Sequence, residues 1–191
     1  MLVNAGIAVA AGHSNATYEE ACVGFDNGIN LVTHLYNAMS PFQHRKPGLV
    51  GAVFNTDHVF APVILDGLHC DFAAAAIAYK IKKDKFLLIS DALFIGDKVL
   101  DFKWQEFDAR LINGEYINSD GNLAGSSISL ADAVRNAVQK IGIPLHEAIE
   151  MVTYRPACAI RQDHLVGKVE VGYPAAFTVF DDDLSTFEMV N

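Results

Sequence analysis

The chain has 191 residues, a net charge of −9, a pI near 5.1 and a hydrophobic fraction of 51 %. That length supports one sizeable core, but it is short of the about 250 residues of a complete (β/α)8 barrel. The acidic balance argues against nucleic-acid and membrane-surface binding, which want clustered Lys and Arg, and no continuous apolar stretch reaches the roughly 18 residues of a membrane helix.

Residues 7–11 form a short apolar run ending at Gly12-His13-Ser14-Asn15. The opening twelve residues have a faint likeness to an export signal, but no basic residue precedes them, and an apolar strand explains them better. A helix is predicted next, with Asn15 or Thr17 as N-cap, Glu19 and Glu20 in its first turn and Asn27-Gly28 as stop signal. Residues 29–33 read as the second strand, ending at His34. A loop with Ser40-Pro41 and Pro47-Gly48 follows, then a third strand at 59–65 ending in Asp66-Gly67-Leu68-His69. Asp71 caps a predicted alanine-rich helix to about Lys83, and residues 86–89 form a fourth strand ending at Ser90-Asp91.

Apolar strands alternating with helices indicate an α/β fold with a parallel sheet covered on both faces. His13, His34, His69 and Asp91 each follow a strand at its carboxyl end, where a barrel builds its active site. The pattern changes after Asp91. Residues 97–118 suggest a hairpin with its turn at Asn113-Gly114, against which Phe102, Trp104 and Phe107 are expected to pack. Residues 127–141 read as a helix with one apolar face, and Pro144 and Pro156 each start another. The tail, 166–172 and then 175–180, reads as short strands with glycine turns, and Asp181-Asp182-Asp183 as a solvated turn. His44, His58, His146 and His164 read as surface residues. Cys22, Cys70 and Cys158 form no C-x-x-C pair; they read as buried, reduced thiols, which implies a cytoplasmic protein.

Several blocks, in order and at compatible spacing, carry a family resemblance. They are Gly12-His13-Ser14-Asn15-Ala16-Thr17, Thr33-His34-Leu35-Tyr36-Asn37-Ala38-Met39, Arg45-Lys46-Pro47-Gly48, Asp66-Gly67-Leu68-His69, Ser90-Asp91-Ala92, Leu123-Ala124-Gly125-Ser126-Ser127 and Gly167-Lys168-Val169-Glu170-Val171-Gly172. The series resembles the carboxyl-terminal half of the N-acetylglucosamine-6-phosphate deacetylases of the amidohydrolase superfamily. The resemblance implies a partial TIM-type (β/α)8 barrel of about the last four βα units over residues 1–165, with a hairpin insertion at about 97–118, and part of a small β-lobe over 166–191.

For chemistry the resemblance implies that His13 and His34 are ligands of a divalent metal ion, Zn first, with Fe, Co or Mn as alternatives. Asp91 would be the catalytic acid–base for hydrolysis of the N-acetyl group of a phosphosugar substrate, giving acetate and glucosamine 6-phosphate. Substrate contacts carry over to Asn37 and Ala38, to Arg45, to Asp66, Gly67, Leu68 and His69, and to Leu123, Ala124 and Gly125. Backbone N–H groups of Asn37-Ala38 would serve a phosphate, and Arg45 would do so from across a homodimer interface.

The likeness begins midway through the family's barrel, so the first strands, a glutamate ligand and a further substrate-binding histidine are not included. Two protein ligands are fewer than the three of a catalytic Zn site, which implies that this chain alone is inactive. After Asp91 the family has a Pro/Gly-rich loop, where this chain has Leu93-Phe94-Ile95-Gly96-Asp97. The rival readings are another amidohydrolase acting on cyclic amides, against which Asn37-Ala38-Met39 and Arg45 count, and an inactive fragment that acts only by docking onto a partner.

Overall fold

The structure, a computed structural model, describes residues 1–93, 99–105 and 107–190. Residues Phe94 to Asp97 of the loop after Asp91, and the side chains of Trp104 and Phe107 expected against the hairpin, lie outside the described residues.

Four short parallel strands form the centre: β1 (Ala10–Ala11), β2 (Leu31–Val32), β3 (Ala61–Ile64) and β4 (Phe86–Ile89). β1 pairs β2 with Ala10 opposite Leu31, and β3 pairs β4 from Ala61–Phe86 to Ile64–Ile89. A parallel bridge between Leu31 and Phe60 joins the two pairs, so the strands run in sequence order. Past β4, Ala92 bridges Ser126 in parallel. Of the first apolar run, 7–11, only Ala10–Ala11 pairs as strand, and the preceding Val3–Ala5 is a 3-10 turn. Apolar character measures burial, whereas a strand also needs a partner backbone in reach.

The connecting helices follow their local signals. α1 (Tyr18–Asp26) starts with a capping box, in which the Glu20 N–H donates to Thr17 Oγ1 at 3.2 Å and the Thr17 N–H to Glu20 Oε2 at 2.8 Å. α3 (Phe72–Lys82) is capped by Asp71, whose carboxylate accepts the Ala73 N–H at 2.7 Å. α2 (Gly48–Asn55) is a correction, because the segment before β3 reads as loop. Two glycines oppose helix there, but Leu49, Val50, Ala52 and Val53 are each no more than 1 % exposed, and tertiary burial outweighs propensity. A Cβ on Gly51 would lie 2.4 Å from Pro47 Cβ, so the chain passes too tightly for a larger residue.

β3 is buried along its whole length. In β4, Phe86 and Leu88 join the main core with Val32, Val63, Ile64, Ala75, Val134 and Met151, while Leu87 faces the other way onto Phe60 and Ala159. The sheet is therefore covered on both faces, the parallel α/β arrangement. Beyond it, β5 (Asp101–Trp104), β6 (Phe107–Ile112) and β7 (Glu115–Ile117) form a three-stranded antiparallel meander, one strand more than the expected hairpin. Asn113 and Gly114 turn it with φ of 53° and 87°, as a two-residue hairpin requires. α4 (Leu130–Asn136) begins three residues later than predicted, at a capping box between Ser129 and Asp132, and continues as a π-helical segment, Ala137–Ile141. α5 (Leu145–Glu150) follows Pro144, and α6 (Tyr154–Ala159) holds Pro156 in its first turn rather than at its start.

Residues 166–172 form turns, not the expected strands, and Val169 and Val171 are exposed. The tail's sheet is the antiparallel pair β8 (Phe177–Phe180) and β9 (Phe187–Val190). Asp181 joins them as a turn residue. Its carboxylate accepts the Ser185 and Thr186 hydroxyls at 2.5 and 2.8 Å, the first of which contributes most to holding it below the ordinary carboxylate range. Cys70 is buried, whereas Cys22 and Cys158 are only partly so. Among the described residues no helix is long and apolar enough to cross a membrane.

Lys82 is buried at 4 % exposure, with its ammonium donating to the Val53 and Thr56 carbonyls at 2.9 and 2.5 Å, in the last turn of α2 and at its C-cap. Burial lowers its pKa to about 8 from 10.5; Asp57 and Asp84 resist the shift and Lys85 adds to it. The unfolded lysine keeps its proton to a higher pH than the folded one. Between about 8 and 10.5 the unfolded state therefore binds more protons, and stability rises with pH across that window. The penalty is fully present below about pH 8 and amounts to at most on the order of 3 kcal/mol. Urea unfolding at pH 7.5 and 10 is expected to show this rise in the native chain, and a Lys82→Met variant is expected to lack it.

Candidate active site

The two strand-end histidines come together. His13 Nε2 and His34 Nε2 lie 2.9 Å apart, with ring centroids at 4.8 Å and planes inclined by 60°. The backbone that delivers them is zipped: the Ser14 N–H donates to the Ala38 carbonyl at 2.9 Å and the Ser40 N–H to the Ser14 carbonyl at 3.1 Å. One residue before His34 the Thr33 N–H donates to the Ala11 carbonyl at 2.9 Å. His13 is exposed and His34 only 6 % exposed, so the pair has one wet and one dry side.

His13, His34 and Asp91 all have left-handed backbones, with φ of 47°, 26° and 50°. Non-glycine residues rarely sit there, and such strain persists only where surrounding structure imposes it, most often at functional sites. Tyr36 at φ 80° and Ala38 at φ 49° share the feature, and no signal in the sequence foretells it.

Two imidazole nitrogens that converge as acceptors repel one another unless a proton or a cation lies between them. On a tetrahedral Zn two such nitrogens stand about 3.3 Å apart, a few tenths of an ångström beyond the 2.9 Å found. At this distance one ring can donate its Nε2–H to the other, and two imidazole nitrogens are also donors that a borderline divalent ion would take. His34 Nδ1 is buried with no hydrogen-bond partner among the described residues, which sets its second nitrogen apart from the usual ligand histidine, whose other N–H is held by an acceptor. No third His, Cys, Asp or Glu among the described residues joins the pair as a metal-binding group.

The Asp66–His69 turn forms a second unit. His69 Nδ1 lies 2.6 Å from Asp66 Oδ2, while the Leu68 and His69 N–H groups donate to Asp66 Oδ1 at 2.9 and 2.8 Å. Burial pushes the Asp66 carboxyl up, but hydrogen bonds from the His69 ring and these two amides outweigh it and hold the group below its ordinary range. The turn needs Gly67, at φ 81°, where a Cβ would meet the Phe72 ring at 2.9 Å. Leu68 is exposed.

Asp91 is drawn to the predicted 123–125 block. Its carbonyl accepts the Ser126 N–H at 3.0 Å, and the Ser126 hydroxyl donates to the Ser90 carbonyl. Gly125, at φ 101°, passes so close that a Cβ would lie 2.7 Å from Leu93 Cδ2 and 3.4 Å from the Asp91 carbonyl oxygen.

Backbone N–H groups of two expected substrate-binding residues are already engaged. The Asn37 N–H closes a turn onto the His34 carbonyl at 3.0 Å, and the Ala124 N–H donates to the Tyr116 carbonyl at 2.8 Å. Leu123 bridges Ile117 and is exposed. Arg45 is exposed in a cleft of about 560 Å³, lined also by Asn15, Thr17, Ser40 and Lys46, and is not among the partners of the histidines.

Gly12 sets the approach of the histidine strands. A Cβ there would stand 2.6 Å from both Thr33 Cβ and Thr33 Oγ1. Gly12→Ala is expected to destabilise the fold by about 1–3 kcal/mol through overpacking, and Gly12→Ala combined with Thr33→Gly to recover most of it. Thermal melts of the two single variants and the double variant read this directly.

The amidohydrolase family model matches residues 2–191. The N-acetylglucosamine-6-phosphate deacetylase of Haemophilus influenzae is 40 % identical over 182 residues, which cover 93 % of this chain and 48 % of that protein. The N-acetylgalactosamine-6-phosphate deacetylase of Shewanella sp. (strain ANA-3) is 34 % identical over 95 % of this chain and 46 % of that protein. The crystal structure of the Pasteurella multocida N-acetylglucosamine-6-phosphate deacetylase superposes with a TM-score of 0.91 at 40 % identity, covering 95 % of this chain and 48 % of that one. The chain thus spans about half the length of the relatives it matches.

Proposed function

The chain belongs to the amidohydrolase family, and from that premise we propose that it supplies the carboxyl-terminal half of a deacetylase acting on N-acetylglucosamine 6-phosphate. The observation that carries the proposal is the His13–His34 pair, 2.9 Å apart at the ends of neighbouring parallel strands. Its strained backbone recurs at Asp91, two residues beyond β4 in the same strand ladder. The four strands are read as four of a barrel's eight, whose carboxyl ends share one mouth, with 166–191 as part of a small β-lobe beside it.

In this reading His13 and His34 hold a divalent cation, which would polarise the acetyl carbonyl and acidify the attacking water. Asp91 accepts a proton from that water as its oxygen bonds to the carbonyl carbon. It then delivers the proton to the amine nitrogen as the C–N bond breaks, leaving acetate and glucosamine 6-phosphate. The buried Asp66 carboxylate fixes His69 with Nδ1 toward it, so His69 Nε2 is the ring atom left for the sugar or its phosphate. Arg45 brings positive charge to the phosphate from across a homodimer interface, which its exposure supports. Catalytic Zn sites carry three protein ligands, so this reading also requires a third donor and assigns activity to the longer protein.

A chimaera tests it: this chain replaces its 182-residue counterpart in the Haemophilus influenzae relative. The expected result is release of acetate from N-acetylglucosamine 6-phosphate. The galactosamine epimer belongs in the same panel because the Shewanella relative bears that name. A folded chimaera that opens cyclic amides and leaves both phosphosugars intact sinks the proposal.

A further inference from the structure

Between His34 and Ala38 the chain makes an unusual demand on one bulky residue. Tyr36 has a φ of 80°, a region that a residue with a large side chain occupies only where its surroundings over-determine it. Two contacts supply that determination. The Tyr36 hydroxyl donates to the carbonyl of Ala74 in the first turn of α3 at 3.0 Å, and its ring meets Phe54 of α2 edge-on, with centroids 6.1 Å apart at 74°.

These contacts join three segments of the candidate site. Tyr36 lies two residues after His34 and next to Asn37. The first turn of α3 grows from Asp71, two residues after His69, and α2 begins at Gly48, two residues after Lys46. The segment held by Tyr36 reaches His13 as well, since Ala38 accepts the Ser14 N–H at 2.9 Å. A phenylalanine would fill the ring's place equally well. What it would remove is the hydroxyl's hydrogen bond from this loop to α3.

We propose that Tyr36 is a positioning residue: its hydroxyl on the Ala74 carbonyl and its ring on Phe54 hold the left-handed segment from His34 to Ala38, and so keep His34 Nε2 in register with His13 and with the Asp66–His69 turn. The proposal rests on the metal-pair reading above only in its consequence for metal affinity; the ordering of the loop stands apart from it.

The test compares the native chain with Tyr36→Phe by two readouts. The first is amide hydrogen exchange of the metal-free chain at Ser14 and Asn37, whose N–H groups bond to Ala38 and His34 respectively. Tyr36→Phe is expected to speed exchange at these two amides about ten-fold, while amides in β3 and the melting temperature stay unchanged. The second is titration with Co2+ alone, followed by visible absorption. The variant is expected to bind about ten-fold more weakly and with shifted bands, the size of effect that removing a group which orients a ligand produces. Unchanged exchange at Ser14 and Asn37 overturns the role of Tyr36, whatever the metal does. Faster exchange with identical Co2+ affinity and bands in both proteins overturns its reach to His34. A native chain that binds no Co2+, with exchange still faster in the variant, overturns the metal pair and leaves the loop-holding role standing.

Discussion

Changing His13 to alanine is expected to abolish tight binding of a divalent ion. The chimaera, purified and dialysed against Zn2+, should retain close to one equivalent by elemental analysis, and its His13→Ala and His34→Ala variants well under a tenth of that. Removing even a group that merely orients a ligand costs about ten- to a hundred-fold in metal affinity, and loss of a ligand itself exceeds that. With only two histidines in the pair, the survivor is a single imidazole. His13→Ala is the cleaner of the two, because His13 is exposed and its removal opens no cavity, whereas His34 is 6 % exposed and packed. Retention of a full equivalent by both variants refutes the assignment.

Asp91→Asn is expected to lower kcat of the chimaera by about 10²–10⁴-fold with KM little changed, the effect of removing a general acid–base. Asparagine has nearly the same shape as aspartate and tolerates the left-handed region as well, so the backbone at φ 50° and the bond from the Ser126 N–H to the Asp91 carbonyl should persist. The fold then stays intact while the proton carrier is lost. Measured kcat and KM, with circular dichroism as a control on folding, separate a chemical role from a structural one. Activity within a few-fold of the parent excludes Asp91 as that carrier.

Much of the architecture was legible because its signals are local. The Asp71 cap, the Asn113-Gly114 turn and the β4 run at 86–89 each depend on residues within one or two turns of each other and each formed where expected, and of the two candidate caps of α1, Asn15 and Thr17, it is Thr17 that caps. α2 was not legible, because Gly48 and Gly51 read as loop until the burial of Leu49 and Val53 is known. The tail strands at 166–172 failed for the opposite reason: alternating valines look like a strand, but among the described residues no strand pairs with them.

The sequence by itself determined which residue types stand at the strand ends, His13, His34, His69 and Asp91, because strand length and helix caps are written in neighbouring residues. Only the tertiary structure decided which of them meet. His13 and His34 are 21 positions apart, and their 2.9 Å contact depends on the register of β1 against β2 and on the absence of a side chain at Gly12. The left-handed turns at His34 and Tyr36, the use of the Asn37 N–H within its own loop and the tie from Tyr36 to α3 arise the same way. Such features come from contacts that close only after the chain has packed, and no window of local sequence encodes them.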